Sequence, residues 1–422
     1  MNMKTMSYSV LATLIAAASA QAMAAPTEIK VWRHDTNEKE ITASKAAVER
    51  FNKSQNAYKV VMEMIPEGAY TETINAAALA GKLPCALDMD QPVVPNFAWA
   101  GNLVELDGLL PAVQLEQLNS VGKGTYKGKV YSVGQYDVSL ALFSRQSILN
   151  KYGIRKATID KPWTKDEFNE ILAKLKKSGE FRYPFDINTS WSGEWYSYGF
   201  GPFLQSFGGD EINRANYVES EGVLNGEKAV AWGTWMQSLV KNKYIDRKPT
   251  DDKGFLQGKV AIHYNGSWAV GDMTKAYGDD LAIMPVPDFG NGPVIGGGSW
   301  HWGISKACPD KAGAAKWLSF LLQPEEIAAM SNATSLIPNT AAAAAMTENY
   351  KAGGKWRVFY DYSKKYAKMR PETPAYPVIT SSFAKAVNDI LDGTNVQESL
   401  DKAVETIERN IQDNNGYGFT SK

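Results

Sequence analysis

Apolar and polar residues alternate along several short segments of this chain, as they do in β-strands that bury one face. Elsewhere the apolar residues recur every three or four positions, which is the spacing of an amphipathic helix. Near the start of the chain these patterns predict strand 28–32, helix 41–53, strand 58–65, helix 70–80 and strand 86–90. A β-α-β-α-β order favours a largely parallel sheet with helical crossovers, and such sheets hold ligands at the carboxyl ends of their strands.

The rest of the chain continues in the same α/β style. The same patterns predict further strands at 129–133, 138–143, 260–264, 281–286 and 302–305, and further helices at 164–177, 226–242, 310–322 and 325–330. Two more helices flank Gly393, and the proline-rich segment 370–377 is predicted to be extended. Thr164 and Thr394 each stand three residues before a Glu or Gln, which is the capping-box spacing of a helix start.

The first 24 residues have the three-part pattern of a cleavable secretory signal. Lys4 supplies a positive charge, residues 10–20 are apolar, and Ala22-Met-Ala24 is a small-x-small cleavage site, so the mature chain would begin at Ala25. The apolar run is too short to span a bilayer, which takes about 20 residues. No cysteine follows the cleavage site, so we expect an exported protein without a lipid anchor.

Length and composition narrow the class of protein. The roughly 398 residues left after cleavage exceed one ordinary core and indicate two domains. A net charge of −1, with no basic stripe, argues against nucleic acid as a partner. Three scattered histidines and two distant cysteines predict no metal site. Neither a Walker loop, a dinucleotide fingerprint nor a Gly-x-Ser-x-Gly elbow is present, so we expect no cofactor. A catalytic pair of facing carboxylates, of the kind that glycosidases use, remains an alternative.

Aromatic residues are the unusual part of the composition, with 12 tryptophans and 20 tyrosines. Sugars are bound by flat aromatic surfaces, which cover their C–H faces, and by carboxylates, which accept hydrogen bonds from their hydroxyls. The chain has such residues near the ends of predicted strands and in loops, where ligands bind. They are Asp90, Asp137, Trp268, Trp300 and the cluster Trp191, Trp195, Tyr196 and Tyr198 in a Gly-rich loop.

Other residues of the same types favour a structural role. Trp232 and Trp317 lie on amphipathic helices and are predicted to be core residues. Of the two acidic residues Asp88 and Asp90, we expect only Asp90, which is nearer to the end of its strand, to face a cleft. A lone histidine such as His34 is more often an ordinary core or surface residue than a ligand contact.

Several segments, taken in order, resemble the family 1 extracellular solute-binding proteins of carbohydrate ABC importers, a group that includes maltose- and trehalose-binding proteins. The resemblance covers nearly all of residues 26–422, and the order and spacing of the segments carry it rather than any one of them. These segments are 29–32, 101–106, 151–154, 162–168, 207–209, 265–268, 296–300 and 396–400.

The resemblance implies an α/β protein with the two-lobed periplasmic binding protein fold of type II, as in maltose-binding proteins. Each lobe would be a mainly parallel sheet flanked by helices, and the ligand would lie in the cleft between the lobes. The N-terminal lobe would comprise residues 25–136 plus 288–324. The C-terminal lobe would comprise residues 137–287 plus 325–422.

The resemblance also implies ligand contacts. Asp137 matches a carboxylate that binds sugar hydroxyls, and Trp268 matches the stacking tryptophan of a Gly-x-Trp turn. Glu38 falls in the loop after the first strand, where a sugar-contacting residue is common. The full set of predicted ligand-binding residues is Glu38, Asp90, Asp137, Trp195, Tyr198, Trp268, Trp300, Arg370 and Tyr376.

The two cysteines depart from the pattern of the family. Cys85 stands where relatives usually have aspartate. In this fold strand 302–305 would run antiparallel beside strand 86–90, which would bring Cys308 close to Cys85. Exported cysteines often pair. We therefore expect a disulfide within one lobe, with two free thiols as the alternative.

These inferences lead to one functional hypothesis and its alternatives. The protein would be the monomeric, periplasmic binding component of an ABC importer, which captures a sugar or polyol and delivers it to a permease in the inner membrane. One alternative is an exported glycoside hydrolase or lyase. Another keeps the fold and binds a non-sugar solute, such as a polyamine or a glycerol phosphodiester. The hypothesis expects no catalytic residues.

Overall fold

The computed structural model of the protein describes residues 25–419, and the predicted signal peptide lies outside them. Within this range the strands are β1 Thr27–Asp35, β2 Tyr58–Pro66, β3 Ala86–Asp90, β4 Lys123–Tyr126, β5 Lys129–Val133, β6 Tyr136–Asp137, β7 Leu140–Arg145, β8 Phe185–Asp186, β9 Ile262–Gly266, β10 Leu281–Met284, β11 Ile295–Gly297, β12 Trp300–Ile304, β13 Ile337–Pro338 and β14 Ala367–Met369.

The α-helices of the same range flank these strands. They are α1 Glu38–Ser54, α2 Glu67–Leu79, α3 Val94–Trp99, α4 Ala112–Gln117, α5 Gln146–Lys151, α6 Lys165–Lys177, α7 Gly201–Phe207, α8 Glu227–Lys241, α9 Val270–Tyr277, α10 Lys311–Leu321, α11 Pro324–Thr334, α12 Ala341–Ala345, α13 Arg357–Tyr366, α14 Tyr376–Leu391 and α15 Val396–Asp413. None of these helices is long and apolar enough to cross a bilayer, a search that covered the described residues alone.

The first lobe is built on a six-stranded sheet with the order β2-β1-β3-β12-β5-β4. Strands β1, β2 and β3 are parallel and are joined by helices, as the β-α-β-α-β pattern predicts. Strand β12 returns from far along the chain and runs antiparallel to both β3 and β5. The parallel half of this sheet therefore brings the carboxyl ends of β1 and β3 to one edge.

The second lobe is built on a four-stranded sheet with the order β10-β7-β9-β8. The prediction of a mainly parallel sheet in each lobe is wrong: three of the five neighbouring strand pairs of the first sheet are antiparallel. In the second sheet only β8 and β9 run parallel, while β7 is antiparallel to both β10 and β9. Parallel neighbours need a long crossover between them, whereas antiparallel neighbours do not. The chain enters this sheet through β7, directly after one crossing between the lobes, and leaves it through β10, directly before the next.

Short strand pairs connect the two sheets. Strand β6 pairs antiparallel with β13, and β11 pairs parallel with β14. All strands of the six-stranded sheet lie within residues 27–133 and 300–304, and those of the four-stranded sheet lie within 140–284. The crossings between the sheets thus lie near residues 134–139 and 285–299, while the exact bounds of the lobes stay a prediction.

Each sheet has its own apolar core. The larger core surrounds the second sheet and includes Trp232, and a smaller one lies on the first sheet and includes Trp317. Both tryptophans are fully buried, as their helical spacing predicts. Cys85 and Cys308 lie in the core of the first lobe and are joined by a disulfide, which is the pairing that the resemblance implies.

The helix starts follow the predicted capping chemistry in one case and not in another. The hydroxyl of Thr164 accepts a hydrogen bond from the backbone N–H of Glu167 at 3.2 Å, so α6 begins where its capping box predicts. The last helix is capped instead by Asn395, which accepts from the N–H of Glu398 at 3.0 Å. Asparagine is at least as good a cap as threonine, and the prediction of Thr394 is wrong by one residue.

Two segments predicted as irregular are partly helical. The aromatic Gly-rich loop ends at Tyr196, where a π-helical turn, Tyr196–Phe200, leads into α7. The extended segment predicted for residues 370–377 gives way to α14 at Tyr376. Pro377 does not prevent this helix, because the first turn of a helix needs no backbone N–H from its residues.

Candidate functional site

A cavity of about 470 Å³ lies between the two sheets. Residues of the first lobe and of the crossing segments form one wall: His34, Thr36, Asn37, Glu40, Glu67, Asp90, Tyr136, Val138, Gly298, Ser299, Trp300 and Leu336. The opposite wall consists of Trp191, Glu194, Trp195, Tyr198, Trp268 and Arg370. The first wall uses the carboxyl ends of β1 and β3, the edge at which parallel sheets hold ligands.

The second wall is a cluster of aromatic rings. Trp268 lies in a 3₁₀ turn directly after β9 and is 36% exposed, while Trp195 and Tyr198 beside it are buried and Trp191 is half-buried. Its ring centroid lies 6.3 Å from Trp191, 6.4 Å from Trp195 and 6.2 Å from Tyr198. The ring folds back over Gly266, where an added Cβ would come within 2.0 Å of it. Gly266 therefore determines where the exposed face of Trp268 points.

Trp300 forms an aromatic surface on the opposite wall. It begins β12 and lies opposite Asp90 in the strand register. Its ring stacks on His34 with a centroid distance of 3.6 Å and an interplanar angle of 15°, and the edge of Tyr70 packs against it at 5.7 Å. The two tryptophans predicted to stack on a ligand thus belong to different walls of one cavity.

A buried charge network fixes His34 beneath Trp300. The Nδ1 atom of His34 lies 2.6 Å from Asp88, whose other carboxylate oxygen accepts the backbone N–H of His34 at 3.0 Å. Arg33 donates to Glu40 at 2.9 Å beside this pair. Asp88 is 1% exposed and therefore acts as an anchor, while Asp90 lines the cavity. This is the division between the two acidic residues that the sequence predicts.

Arg370 connects the two walls. Its guanidinium donates two hydrogen bonds to Asp90, at 2.8 and 2.7 Å, and a third to Glu194 at 2.7 Å. It also lies over the ring of Tyr198, 5.1 Å from the centroid. Burial raises the pKa of Glu194, and the positive charge of Arg370 opposes that rise. Arg370 thus holds carboxylates from both walls in place.

Tyr376, Asp137 and Glu38 do not line the cavity, although all three belong to the predicted set. Tyr376 is fully buried and donates its hydroxyl hydrogen bond to Glu194, so it supports the wall from behind. Glu38 is exposed at the start of α1 and borders a separate groove between α1 and α11. The carboxylate of this helix that reaches the cavity belongs to Glu40, two residues further on.

Asp137 points away from the cavity because neighbouring strand residues face opposite sides. Tyr136 and Val138 line the cavity, whereas Asp137 is 1% exposed and accepts hydrogen bonds from Ser363 and from the backbone N–H of Gly298. Burial raises the pKa of Asp137 to about 7. In this position it ties β6 to the glycine turn before Trp300.

Several cavity residues lay outside the predicted set, and four of them are acidic residues or histidine. His34 is one, and Glu40, Glu67 and Glu194 are the others. Glu40 carries a local signal, since Asn37 and Glu40 form a reciprocal cap at the start of α1. Glu194 stands beside Trp195 in the predicted aromatic cluster. Glu67 follows Pro66 as the first residue of α2 and offers no comparable signal.

The chemistry of the cavity is that of a binding site with carboxylates and aromatic faces. Four carboxylates line it, against a single guanidinium. Among residues 25–419, no three histidine, cysteine, aspartate or glutamate side chains are grouped as a metal ion would need.

Comparisons with known proteins agree with this geometry. A family model described as "Bacterial extracellular solute-binding protein" matches residues 46–357. The sn-glycerol-3-phosphate-binding periplasmic protein UgpB of Rhizobium meliloti is 28% identical over 367 residues, which are 79% of this chain and 80% of that protein. The maltotriose-binding protein of Pyrococcus abyssi is 22% identical over 91% of this chain and 83% of its own length.

Solved structures share the fold. The cyclic alpha-maltosyl-1,6-maltose binding protein from Arthrobacter globiformis superposes with a TM-score of 0.78, at 23% identity, over 92% of this chain and 100% of that chain. The likeness confirms the two-lobed fold predicted from the sequence. Because the family match spans most of the residues, from the first helix to the start of α13, the chain belongs to the bacterial extracellular solute-binding protein family.

Proposed function

We propose that this protein captures a sugar in the cavity between its lobes and delivers it to the permease of an ABC importer. One observation carries the proposal: Trp268 and Trp300 face the same cavity from opposite walls, and carboxylates lie beside both. Each ring covers the apolar face of a sugar, and the carboxylates accept hydrogen bonds from its hydroxyls. A mono- or short oligosaccharide, or a polyol, meets both requirements.

The charge of the cavity favours a sugar over a phosphate ester, the ligand class named for the R. meliloti relative. The carboxylates of Glu40, Glu67, Asp90 and Glu194 outnumber the guanidinium of Arg370 and that of Arg33, which pairs with Glu40 from behind the wall. Arg370 is moreover already bonded to Asp90 and Glu194. An anionic ligand would meet a surplus of negative charge at short range, which disfavours it.

The mechanism we propose is closure of the two lobes around the ligand. A sugar that contacts both walls stabilises the closed form, because only that form offers both sets of contacts. Hinge closure of this kind around a ligand is general among periplasmic binding proteins. The hinge would lie at the β6–β13 and β11–β14 pairs, which are short and connect the sheets. The closed form would then dock on the permease as a monomer.

A thermal-shift screen against mono-, di- and trisaccharides, polyols and sn-glycerol 3-phosphate tests the proposal. A ligand at 100 times its Kd adds about 2.7 kcal/mol of stability, which such an assay detects. Trp268→Ala and Trp300→Ala should each weaken binding of the sugar by about 2–4 kcal/mol. Trp99→Ala is the matched control, because Trp99 is similarly exposed but lies outside the cavity. Normal binding by both cavity variants would refute the site.

We also propose that the protein binds without turnover. The alternative of a glycoside hydrolase predicts that oligosaccharides are cleaved during incubation with the protein. Chromatography of the sugar after incubation should return it unchanged, whereas products that vanish on substitution of one cavity carboxylate would establish an enzyme.

Export to the periplasm without an anchor is the location we propose. Support comes from the signal pattern that ends at Ala24, and from the cysteines. The sequence has two, Cys85 and Cys308, and both are used in the disulfide, so neither is free to carry a lipid. Osmotic-shock fractions should contain the protein. Recovery in the membrane fraction as a lipoprotein would contradict this proposal.

A further inference from the structure

A second, narrow cavity of about 10 Å³ lies next to the cavity between the lobes. Arg370 lines both cavities, and Glu211 lines only the narrow one. Glu211 is 2% exposed, and neither oxygen of its carboxyl group has a hydrogen-bond partner among residues 25–419. The Nε atom of Arg370 is likewise buried and without a partner in that part of the chain. An unused acceptor and an unused donor therefore share one small cavity.

The contacts of Arg370 explain why its Nε atom is unused. Its terminal N–H groups donate to Asp90 and Glu194, which belong to opposite walls of the larger cavity. Both terminal nitrogens bind Asp90, and the fixed fork of the guanidinium aims the Nε–H group in another direction. Arg370 is thus held on its ligand side and left without a hydrogen bond at Nε.

Glu211 is uncharged near neutral pH. Burial raises its pKa to about 8; the charge of Asp210 adds to this rise, and that of Arg214 opposes it. Arg214 donates to Asp210 at 3.1 and 2.9 Å, so its guanidinium is already paired. The other titratable or charged groups around Glu211 come from separate elements and are Glu194, Lys368, Arg370 and Tyr376.

We infer that Glu211 is a positioning residue of the sugar site, which leaves Arg370 in place while it is uncharged and draws Arg370 away once it is ionised. This inference rests on the proposed function. An ionised carboxylate would attract the free Nε–H group, because charged acceptors form the stronger hydrogen bonds. The guanidinium is a rigid plane, so a turn of Nε toward Glu211 loosens its two contacts with Asp90. The walls are then held together less firmly, and the affinity for sugar falls.

Isothermal titration calorimetry tests the inference with the mono-, di- or trisaccharide that gives the largest thermal shift in the screen. Between about pH 6.5 and about pH 9.5 the affinity of the wild type should fall by about tenfold, as it does when the bound sugar raises the pKa of Glu211 by about one unit. By the same linkage, sugar binding near pH 8 should take up a proton. Proton uptake is measured in the wild type by comparing the heat of binding in buffers of different ionisation enthalpy.

The variant Glu211→Gln keeps the shape of the side chain and cannot ionise. It should bind the sugar within about twofold of the wild type at the lower pH and lose most of the pH dependence. A purely structural role of Glu211 would instead weaken binding equally at every pH. Glu227→Gln, an exposed change in the same lobe, is the matched control and should keep the pH dependence of the wild type.

Urea denaturation tests the titration of Glu211 without any sugar. Its pKa of about 8 exceeds the ordinary value of about 4.3, so the stability that the protonated side chain contributes is complete below about pH 4 and is lost as the pH rises to about 8. The stability gap between the wild type and Glu211→Gln should shift against the wild type over this window.

The outcomes separate the inference from the proposed function. Equal pH dependence of sugar binding in the wild type and in Glu211→Gln would overturn the inference and leave the proposed function intact, and so would a stability gap independent of pH. If Glu211→Gln does not fold, proton uptake by the wild type decides, and its absence overturns the inference. If no sugar of the screen binds at all, the proposed function fails, and the inference fails with it.

Discussion

Gly266 controls the position of Trp268, and replacing it with alanine should disable the site without unfolding the protein. An alanine Cβ would lie 2.0 Å from one ring carbon of Trp268 and 2.2 Å from two others. Carbon atoms pack at about 3.5–4.0 Å, so the ring must move by about 1.5 Å or more. Trp268 is 36% exposed, which leaves room for the ring to swing into the cleft at small cost to stability.

The loss of affinity in Gly266→Ala should therefore approach that of Trp268→Ala, about 2–4 kcal/mol or roughly 30- to 900-fold in Kd. Calorimetry with the sugar found in the screen measures the affinity, and urea denaturation measures the free energy of unfolding. The matched control is Gly271→Ala in α9, where nothing lies within 4 Å of the added Cβ. This control should bind normally and gain up to about 1 kcal/mol in stability, because alanine favours a helix.

The double variant Gly266→Ala/Trp268→Ala gives the sharper test. If Gly266 acts only through the ring, removal of the ring makes the alanine harmless, and the double variant should bind as weakly as Trp268→Ala and no more weakly. Normal binding by Gly266→Ala, or additive losses in the double variant, would refute this account of the aromatic wall.

Three further outcomes are expected. Arg370→Lys should weaken sugar binding by about tenfold or more in calorimetry, because an ammonium group cannot form the two-pronged contact with Asp90; binding equal to the wild type would contradict a positioning role. Replacing both Cys85 and Cys308 with serine should lower the free energy of unfolding by about 2–5 kcal/mol in urea denaturation, since the bridge spans 223 residues, and should leave sugar affinity unchanged. Burial raises the pKa of Asp137 to about 7, against an ordinary value near 4. As the pH rises, the unfolded chain therefore releases this proton before the folded protein does. The stability that the protonated Asp137 contributes is complete below about pH 4 and is lost as the pH rises to about 7. The stability gap between the wild type and Asp137→Asn should therefore shift against the wild type over that window, and a gap independent of pH would show that Asp137 does not titrate there.

Local signals in the sequence predicted the elements that depend on neighbours along the chain. Strand β3 and helix α6 lie where the alternation and the capping box of Thr164 indicate. Trp268 and Trp300, chosen because they follow predicted strands or glycines, do line one cavity. Position in a loop or at a strand end is thus a useful guide when the fold class is known.

Contacts between distant residues could not be predicted in this way. Asp90 and Arg370 are 280 residues apart, and nothing near either one indicates the other. The direction of Asp137 depends on the parity of a two-residue strand, which no hydrophobic pattern of that length defines. To predict the disulfide, one must know which strand lies beside β3. The family resemblance supplied that neighbour, because no local pattern in the sequence indicates it.

The disulfide has a topological consequence for the whole molecule. Residues between Cys85 and Cys308 form a covalently closed ring, and every strand of the second sheet lies inside it. A protease that cuts once in an exposed loop of this ring therefore opens the chain without releasing a fragment. The two pieces stay linked until a reductant reaches Cys308, which is 2% exposed in the core of the first lobe. In an environment rich in proteases, a single cut within this ring would therefore leave the protein in one covalent piece.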